Sequence, residues 1–251
     1  MTDKSLLDSW YKKVCTPGFI DKDPLRFPRM YKKKEDIEIA AFLSATIAWG
    51  RRDIILRSCE KMFALMGKSP FSFVKNGDYK KLKNNNIHRT FFQNDLKYFC
   101  RGFEYCYSKY GNLEKLFASI KPVTCSDGSV WSGIALFREE MAFANKGLYS
   151  RHISNPGLDG KGGSACKRLN LALRWLVREG PVDLGLWKAI TPAQLFIPLD
   201  VHVIRTARNL WLLERKSNDK KAVIELTEKL RKFCPKDPVK YDFALFGMSV
   251  S

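Results

Sequence analysis

The stretch from Glu35 to Trp49 restricts the fold more than any other part of the sequence. Read as a helix, it is apolar on nearly every side, and Gly50 follows it as a residue type that commonly ends helices. Such a helix needs a cover of other elements all round. Because a bilayer crossing requires roughly 20 apolar residues, the stretch is too short to span a membrane. We therefore predict a buried central helix and no membrane partner.

Apolar residues recur at three- and four-residue spacing through most of the chain, which is typical of amphipathic helices. The stripes lie within residues 54–66, 96–103, 134–141, 169–176, 201–211 and 223–230. Strand-like alternation is almost absent, so we predict an all-α fold. Residues 145–163 interrupt the pattern with five glycines and one proline and predict a long exposed loop.

Capping residues predict where helices in the second half of the chain begin. Ser164 is expected to cap a helix that runs to Gly180. Asp200 stands directly before an amphipathic segment, in the position of an N-cap. A further amphipathic helix is predicted over residues 217–233.

The net charge favours a polyanionic partner. The chain carries 44 lysines and arginines against 26 aspartates and glutamates, a net charge of +18 over 251 residues. Basic side chains that neutralise phosphates release condensed counterions, so an excess of this size favours nucleic acid. Solubility alone is the other explanation of the charge.

The cysteines and histidines argue against a metal site. The seven cysteines are scattered without a Cys-x-x-Cys pair, which favours reduced thiols in an intracellular protein. His88, His152 and His202 lack the spacing of metal ligands. The first residues show no secretion-signal pattern. We expect a cytoplasmic protein that acts without a metal or other cofactor.

The segment from Leu195 to Arg205 joins an apolar, proline-containing stretch to an aspartate at a predicted helix start. A carboxylate there accepts hydrogen bonds from free backbone N–H groups, and the helix dipole favours its ionised form. A structural N-cap is therefore one interpretation of Asp200. The same residues, Ile-Pro-Leu-Asp-Val-His-Val-Ile-Arg at 197–205, resemble the Pro-Val-Asp-Thr-His-Val-x-Arg signature of the helix-hairpin-helix DNA glycosylase superfamily, which includes endonuclease III and the 8-oxoguanine glycosylases.

The resemblance extends over residues 35–208 and implies a fold. Upstream, Phe-Leu-Ser-Ala at 42–45 lies in the buried helix much as the family's Leu-Ser-x-Gln segment does. The family's architecture implies that residues 1–251 form a single two-lobed helical domain. One lobe would comprise residues 35–145, and the other residues 164–251 with the N-terminal segment. The chain as a whole also resembles a family of uncharacterised bacterial proteins.

The resemblance also implies base excision. The family's aspartate acts in base release, and bifunctional members add a lysine nucleophile. The family's Leu-Pro-Gly-Val-Gly hairpin is not found before Asp200, where residues 187–195 stand instead, so a variant hairpin is expected. The archaeal 8-oxoguanine glycosylases also have a variant hairpin and carry their lysine well upstream, as Lys167 is here. The resemblance thus implies a DNA glycosylase with AP lyase activity on oxidised purines, with Lys167 and Asp200 as catalytic residues.

The chemistry suits these two residue types. A neutral lysine amine is nucleophilic, and nearby cations such as Lys161 and Arg168 help an amine to lose its proton. We hypothesise that Lys167 attacks the sugar C1′ of the damaged nucleotide, the base departs and a Schiff base forms. Asp200 would stabilise the developing positive charge. A solvated helix lysine is the other interpretation of Lys167.

The expected partner is double-stranded DNA that carries a lesion, bound by a monomer. Aromatic side chains can stack on bases, and arginines can bind phosphates. The residues expected to contact DNA are Trp49, Arg51, Arg52, Lys161, Arg168, His202 and Arg205. A core position for Trp49 and a structural hydrogen bond for His202 are the alternatives.

Two other functions remain open. The chain could be a DNA- or RNA-binding protein that keeps the fold without catalysis, since a fold does not determine a function. The missing glycine-rich hairpin favours this alternative, whereas the combination of Lys167 with Asp200 favours the enzyme. The third possibility is a monofunctional glycosylase in which Asp200 activates water.

Overall fold

The fold is mostly helical, as predicted. A computed structural model describes residues 3–119, 129–157 and 162–250, and these residues form eleven α-helices and one short hairpin. The helices are α1 (Asp3–Val14), α2 (Lys34–Thr46), α3 (Arg52–Met66), α4 (Pro70–Lys75), α5 (Gln93–Tyr110), α6 (Leu113–Ala118), α7 (Ser129–Phe143), α8 (Lys167–Val177), α9 (Val201–Asn209), α10 (Lys220–Phe233) and α11 (Tyr241–Val250). Strands β1 (Asn86–His88) and β2 (Phe91–Phe92) pair antiparallel. The all-α prediction is confirmed.

Helix α2 lies at the centre of the molecule and is covered on several sides. It packs against α4, α8 and the 3₁₀ turns Pro24–Arg26 and Pro28–Met30. Its Phe42 ring stacks on Phe137 at 5.0 Å and on Phe117 at 5.8 Å, measured between ring centroids. Burial of each such ring stabilises the fold by about 1.5–3 kcal/mol. The prediction of a central buried helix is confirmed.

A buried glutamate ties α2 to two other helices. Glu38 has no exposed surface, and burial raises its pKa although hydrogen bonds oppose the shift. Its carboxylate accepts from the Tyr107 hydroxyl and from Trp187 Nε1, both at 2.8 Å, and from the Leu113 backbone N–H at 3.1 Å. A buried polar group costs little when its hydrogen bonds are made, so Glu38 is compatible with the apolar surroundings of α2.

Glycines end two helices where the sequence predicts it. Gly67 follows α3 with a φ of 69°, and Gly111 follows α5 with a φ of 81°. Positive φ values favour glycine because a side chain would clash with the backbone there. Local sequence therefore determines these helix ends.

Two predicted helix starts are too early, that of α8 by two residues and that of α10 by three. Helix α8 begins at Lys167, because the Ser164 backbone forms a β-bridge with Asp219. Among the described residues, the Ser164 hydroxyl accepts from the Cys166 backbone N–H alone, at a long 3.4 Å. Helix α10 begins at Lys220, because the Asp219 carboxylate caps it. The same bridge therefore accounts for both corrections. The α8 helix also ends at Val177, before the predicted end at Gly180.

The predicted loop at 145–163 has no helix or strand in its described part, and its exposure is mixed. Residues 146–149, 151, 155 and 162 are exposed, as predicted, whereas others are buried. Asn145, His152 and Ile153 are each at most 5% exposed. Asn145 accepts from Arg101 Nε at 2.6 Å and donates to two backbone carbonyls, so its polar atoms are satisfied inside the protein. Periodicity does not reveal such tertiary hydrogen bonds, so the sequence did not predict which loop positions are buried.

The two predicted lobes pack through continuous apolar contacts. Buried side chains from Leu7 to Leu245 belong to one connected core, and α8 packs directly against α2. The lobe boundaries at 35–145 and 164–251 stay a prediction. Within the described ranges, no helix combines the length and apolar character that crossing a bilayer demands.

Candidate active site

Two helix starts meet and bring Lys167 against Asp200. Lys167 is the first residue of α8, and Asp200 directly precedes α9. The Lys167 Nζ lies 3.4 Å from Asp200 Oδ2. Asp200 Oδ1 accepts from the backbone N–H groups of His202 and Val203, both at 2.9 Å. Asp200 is therefore an N-cap, and its second oxygen faces the lysine.

The end of α2 holds the start of α8. The sequence predicts a helix to Trp49, but α2 ends at Thr46, and the carbonyl groups beyond that point face α8. Ala48 O accepts from Lys167 Nζ at 3.5 Å, and Thr46 O accepts from Arg168 Nη1 at 3.0 Å. These contacts satisfy carbonyl groups that a helix end leaves without partners.

Cys166 gives the start of α8 an unusual backbone. It occupies the N-cap position with a φ of 46°, in the left-handed region that residues other than glycine rarely adopt. Its side chain makes no capping hydrogen bond, and the thiol is buried. Burial raises the thiol pKa to about 12, so Cys166 has little thiolate character near neutral pH. Strained backbone of this kind concentrates at functional sites.

Lys167 and Asp200 share a cleft of about 970 Å³. Its walls come from the α2–α3 connection, residues 151–154, α8, residues 198–202 and α11. Small-molecule sites in proteins span about 300–1,000 Å³, so the cleft can accept a nucleotide-sized group. The lysine side chain is 32% exposed and the aspartate 17%, which leaves both accessible from the cleft.

A buried ion pair lies on the same cleft. Asp242 on α11 is 7% exposed and pairs with Arg174 of α8, and Arg174 also pairs with Asp183 at 3.3 Å. Burial raises the pKa of Asp242 to about 7, and the charge of Asp200 adds to the increase, although Arg174 opposes it. The sequence analysis missed Asp242 and Arg174, because each stands in an ordinary helical pattern without a motif.

Trp49 and Arg168 form part of the cleft wall. Trp49 is partly buried, and its ring lies 4.6 Å from His88 and 5.8 Å from His152. The Arg168 guanidinium carbon lies 5.2 Å from the Trp49 ring centroid, and burial lowers the pKa of Arg168. In this structure both side chains have intramolecular partners, and their contact with DNA stays a prediction.

The other predicted DNA contacts lie in different environments. Arg51 forms a bidentate pair with Asp53, with both N–O distances 3.1 Å. Both His202 Nδ1, at 3.1 Å, and Arg205, at 2.6 Å, contact the Ser249 hydroxyl. Arg52 lines the cleft. Lys161 lies outside the described residues.

No group of three or more His, Cys, Asp or Glu side chains comes together as a possible metal site in the part of the chain that the structure describes. The chain has no match among the curated proteins and none among the solved structures. One family model, described as "Protein of unknown function (DUF2400)", matches residues 23–251. The matched range includes Lys167, Asp200 and Asp242. The chain therefore belongs to the DUF2400 family.

Proposed function

We propose that this protein is a DNA glycosylase with AP lyase activity. It removes a damaged base from double-stranded DNA, and the base we propose is an oxidised purine. The observation that carries the proposal is the 3.4 Å contact between Lys167 Nζ and Asp200 Oδ2 inside a nucleotide-sized cleft. A nucleophile and a carboxylate at this separation can act on the same carbon atom. The two residues are distant in sequence, so their contact is a property of the fold.

The resemblance to helix-hairpin-helix glycosylases supports the same proposal. The segment with the signature folds as an extended stretch followed by Asp200 at the start of α9. Residues 187–195, which replace the family's hairpin, include the 3₁₀ turn Pro192–Gln194 with a capping box at Thr191. We propose a two-lobed glycosylase-like fold with this turn as part of the variant hairpin.

The electrostatic environment suits an extruded nucleotide. A damaged base must leave the duplex before an enzyme reaches its glycosidic carbon, and the nucleotide brings its phosphates along. The starts of α8 and α9 both direct the positive ends of their helix dipoles toward the cleft, which favours bound anions. The net charge of +18 favours the surrounding duplex.

The chemical steps use groups that already face the cleft. Lys167 first loses a proton, for which Asp200 Oδ2 is within reach, and its amine attacks C1′. The C1′–N bond then breaks, and its electrons leave with the base, which takes up a proton. Asp242 can hold a proton near neutral pH and supply it, because its pKa is raised to about 7. The amine–C1′ adduct opens to a Schiff base, and loss of a C2′ proton expels the 3′ phosphate.

Borohydride trapping tests this proposal directly. The reductant converts a Schiff base between protein and DNA into a stable adduct, which gel electrophoresis resolves. We expect the wild-type protein to form an adduct with a duplex that carries 8-oxoguanine, and Lys167→Ala to form none. Lys75→Ala, an exposed lysine on α4, is the matched control and should form the adduct at the wild-type level.

Three results would change the proposal. Base release that needs Asp200 but yields no adduct would indicate a monofunctional glycosylase, in which Asp200 activates water. If no lesion gives base release or an adduct, the protein is a DNA-binding protein without catalysis. An adduct that persists in Lys167→Ala would move the nucleophile to another residue.

A further inference from the structure

Almost every arginine in this protein already has a partner. All but two guanidinium groups make a hydrogen bond or ion pair with another described residue, including those of the exposed Arg51 and Arg57, which pair with Asp53. The two exceptions in the described ranges are Arg52 and Arg89. Arg52 lines the cleft, and Arg89 lies against Gly50, which also lines it, so both unpaired guanidinium groups are near the site.

Two phenyl rings hold Arg52 at the cleft mouth. The guanidinium carbon lies 5.2 Å from the Phe246 ring centroid and 5.8 Å from the Phe19 ring centroid. All three residues line the cleft. A cation–π contact orients a guanidinium group while its N–H donors stay available. Arg52 is therefore positioned without being neutralised, although Asp23, also in the cleft, interacts with it electrostatically.

Arg89 is positioned by its backbone. It lies in the turn between β1 and β2 with a φ of 47°, which is unusual for a residue with a side chain. Asn86 Nδ2 donates to the Arg89 carbonyl at 2.6 Å, and Arg151 donates to the Thr90 carbonyl at 2.6 Å. These contacts hold a strained turn that exposes the Arg89 side chain.

The hairpin is also anchored to the cleft wall. His88 is 1% exposed, and its two ring nitrogens contact Ser58 Oγ and Trp49 O, each at 2.9 Å. The Arg89 guanidinium lies so close to Gly50 that a Cβ at Gly50 would be 3.0 Å from its central carbon. Gly50 lines the cleft, so Arg89 stands at its rim.

We propose that Arg52 and Arg89 form a phosphate clamp that binds the backbone of a nucleic acid strand on either side of the nucleotide in the cleft. The clamp rests on the proposed function, because it assumes that the cleft receives a nucleotide. The Arg89 guanidinium lies against Gly50, and Gly50 stands two residues before Arg52, so both arginines border the same stretch of the cleft, the connection between α2 and α3. A DNA strand carries one charge per about 3.4 Å of helix axis, so neighbouring phosphates can reach both arginines.

The clamp explains why two arginines at one rim make no hydrogen bond or ion pair with the described residues. Unpaired cations at one rim repel each other, and this cost persists in the free protein. A bound phosphodiester removes the repulsion and gives each guanidinium a charge-assisted, bidentate partner. Arg51, which the sequence analysis grouped with Arg52, already makes a bidentate pair with Asp53 and is not part of the clamp.

The salt dependence of DNA binding tests the clamp. Affinity for a duplex with a reduced abasic site would be measured by fluorescence anisotropy over a series of salt concentrations. The slope of log K against log salt is negative, and each lost phosphate contact should decrease its magnitude by about 0.9. We therefore expect a decrease of about 0.9 for Arg52→Gln and for Arg89→Gln, about 1.8 for the double variant, and about 8-fold weaker binding per arginine at 0.1 M salt.

Arg57→Gln is the matched control. Arg57 lies on the same helix as Arg52 and is 71% exposed, but it pairs with Asp53, so its slope should stay at the wild-type value. Equal slopes for the double variant and the wild type would overturn the clamp. If Arg57→Gln decreased the magnitude of the slope as much as Arg52→Gln, the clamp would also be overturned. Any surface arginine would then contribute equally to DNA binding.

The outcomes separate the clamp from the proposed function. The expected slopes without a borohydride adduct would support the clamp and overturn the lyase proposal. An adduct with unchanged slopes would support the enzyme and overturn the clamp. Absence of duplex binding by the wild-type protein would overturn both. Because Arg52 and Arg89 are exposed, both single variants should fold, which circular dichroism would check.

Discussion

Asp200 and Asp219 stand in the same local position, each directly before a helix that its carboxylate caps. Asp200 Oδ1 accepts from His202 and Val203 at 2.9 Å at the start of α9. Asp219 Oδ1 accepts from Ala222 at 3.1 Å at the start of α10. In both cases the sequence places a favoured capping residue before an amphipathic segment.

The second partners of the two carboxylates differ. Asp219 forms a bidentate pair with Arg215, with N–O distances of 2.7 and 2.5 Å, and this pair lowers the pKa of Asp219. Asp200 presents its second oxygen to Lys167 at 3.4 Å inside the cleft. A bidentate arginine neutralises a carboxylate, whereas a single lysine contact leaves it able to meet a substrate. The comparison teaches that the cap is local and the chemistry comes from the tertiary neighbour.

Activity should separate the two aspartates most strongly. Asparagine keeps the cap but removes the charge, so Asp200→Asn should lower base release by about 10²- to 10⁴-fold, the range of a lost acid–base or electrostatic group. Asp219→Asn, the matched control, should leave base release unchanged. Single-turnover release of 8-oxoguanine from a duplex measures both variants. Equal rates in the two variants would remove Asp200 from the mechanism.

The pH dependence of the free energy of unfolding should extend the comparison to Asp242, a buried aspartate of the same cleft. Its pKa rises from 3.8 to about 7 on folding, so between these pH values the folded protein binds more protons than the unfolded chain. Stability therefore falls as the pH rises through this window. The wild type should lose about 2–3 kcal/mol of unfolding free energy between about pH 5 and about pH 8 through Asp242, and Asp242→Asn should not show this loss.

Urea unfolding at the two pH values measures this difference. The change with pH is the readout, because the variant also loses its pair with Arg174 at every pH. Asp219→Asn is the control: the pKa of Asp219 is lowered, so the stability it contributes is lost only as the pH falls through that low value. If the free energy of unfolding changed equally with pH in the wild type and in Asp242→Asn, the prediction would be wrong.

Removal of the caps should affect the two helix starts alike. Asp200→Ala and Asp219→Ala should each lower the free energy of unfolding by about 1 kcal/mol, because each leaves backbone N–H groups without their acceptor. The asparagine variants should lose far less. Urea unfolding near neutral pH compares the four variants. A much larger loss for Asp200→Ala than for Asp219→Ala would show that Asp200 has a structural role beyond the cap.

Ser164→Ala should have the smallest effect. Ser164 was the predicted cap of α8, but its hydroxyl accepts a long 3.4 Å hydrogen bond from Cys166 N–H, and its backbone forms the bridge to Asp219. Loss of the hydroxyl should change the free energy of unfolding by less than about 0.5 kcal/mol. A loss of about 1 kcal/mol, typical of a true N-cap, would restore Ser164 to that role.

Much of the fold could be predicted because its signals are local. The buried character of α2, the glycines after α3 and α5, and the aspartate before α9 all depend on neighbours within a few residues. The start of α8 could not be predicted, because Ser164 is committed to a bridge with a residue far along the chain. Nor could the burial of Asn145 at the start of the loop, since its partners lie on α5 and α7.

The site divides in the same way. Lys167 and Asp200 were identified through a family resemblance, and the sequence shows neither their 3.4 Å separation nor the cleft around them. Asp242 and Arg174 have no motif, since only burial and mutual contact distinguish them from surface residues of the same type. Arg89 was missed because its unpaired state depends on which other residues approach it.

The sequence by itself determined the helical composition, the excess of positive charge and the capping role of Asp200, because periodicity, charge and caps are properties of short segments or of simple sums. The tertiary structure alone decided that Asp200 faces Lys167 while Asp219 faces Arg215. It also decided that Arg52 and Arg89 stay unpaired at the cleft within the described residues. Ion pairs form through space between distant segments, and the energy of a charge depends on its nearest neighbours and its burial, which only the packed chain determines.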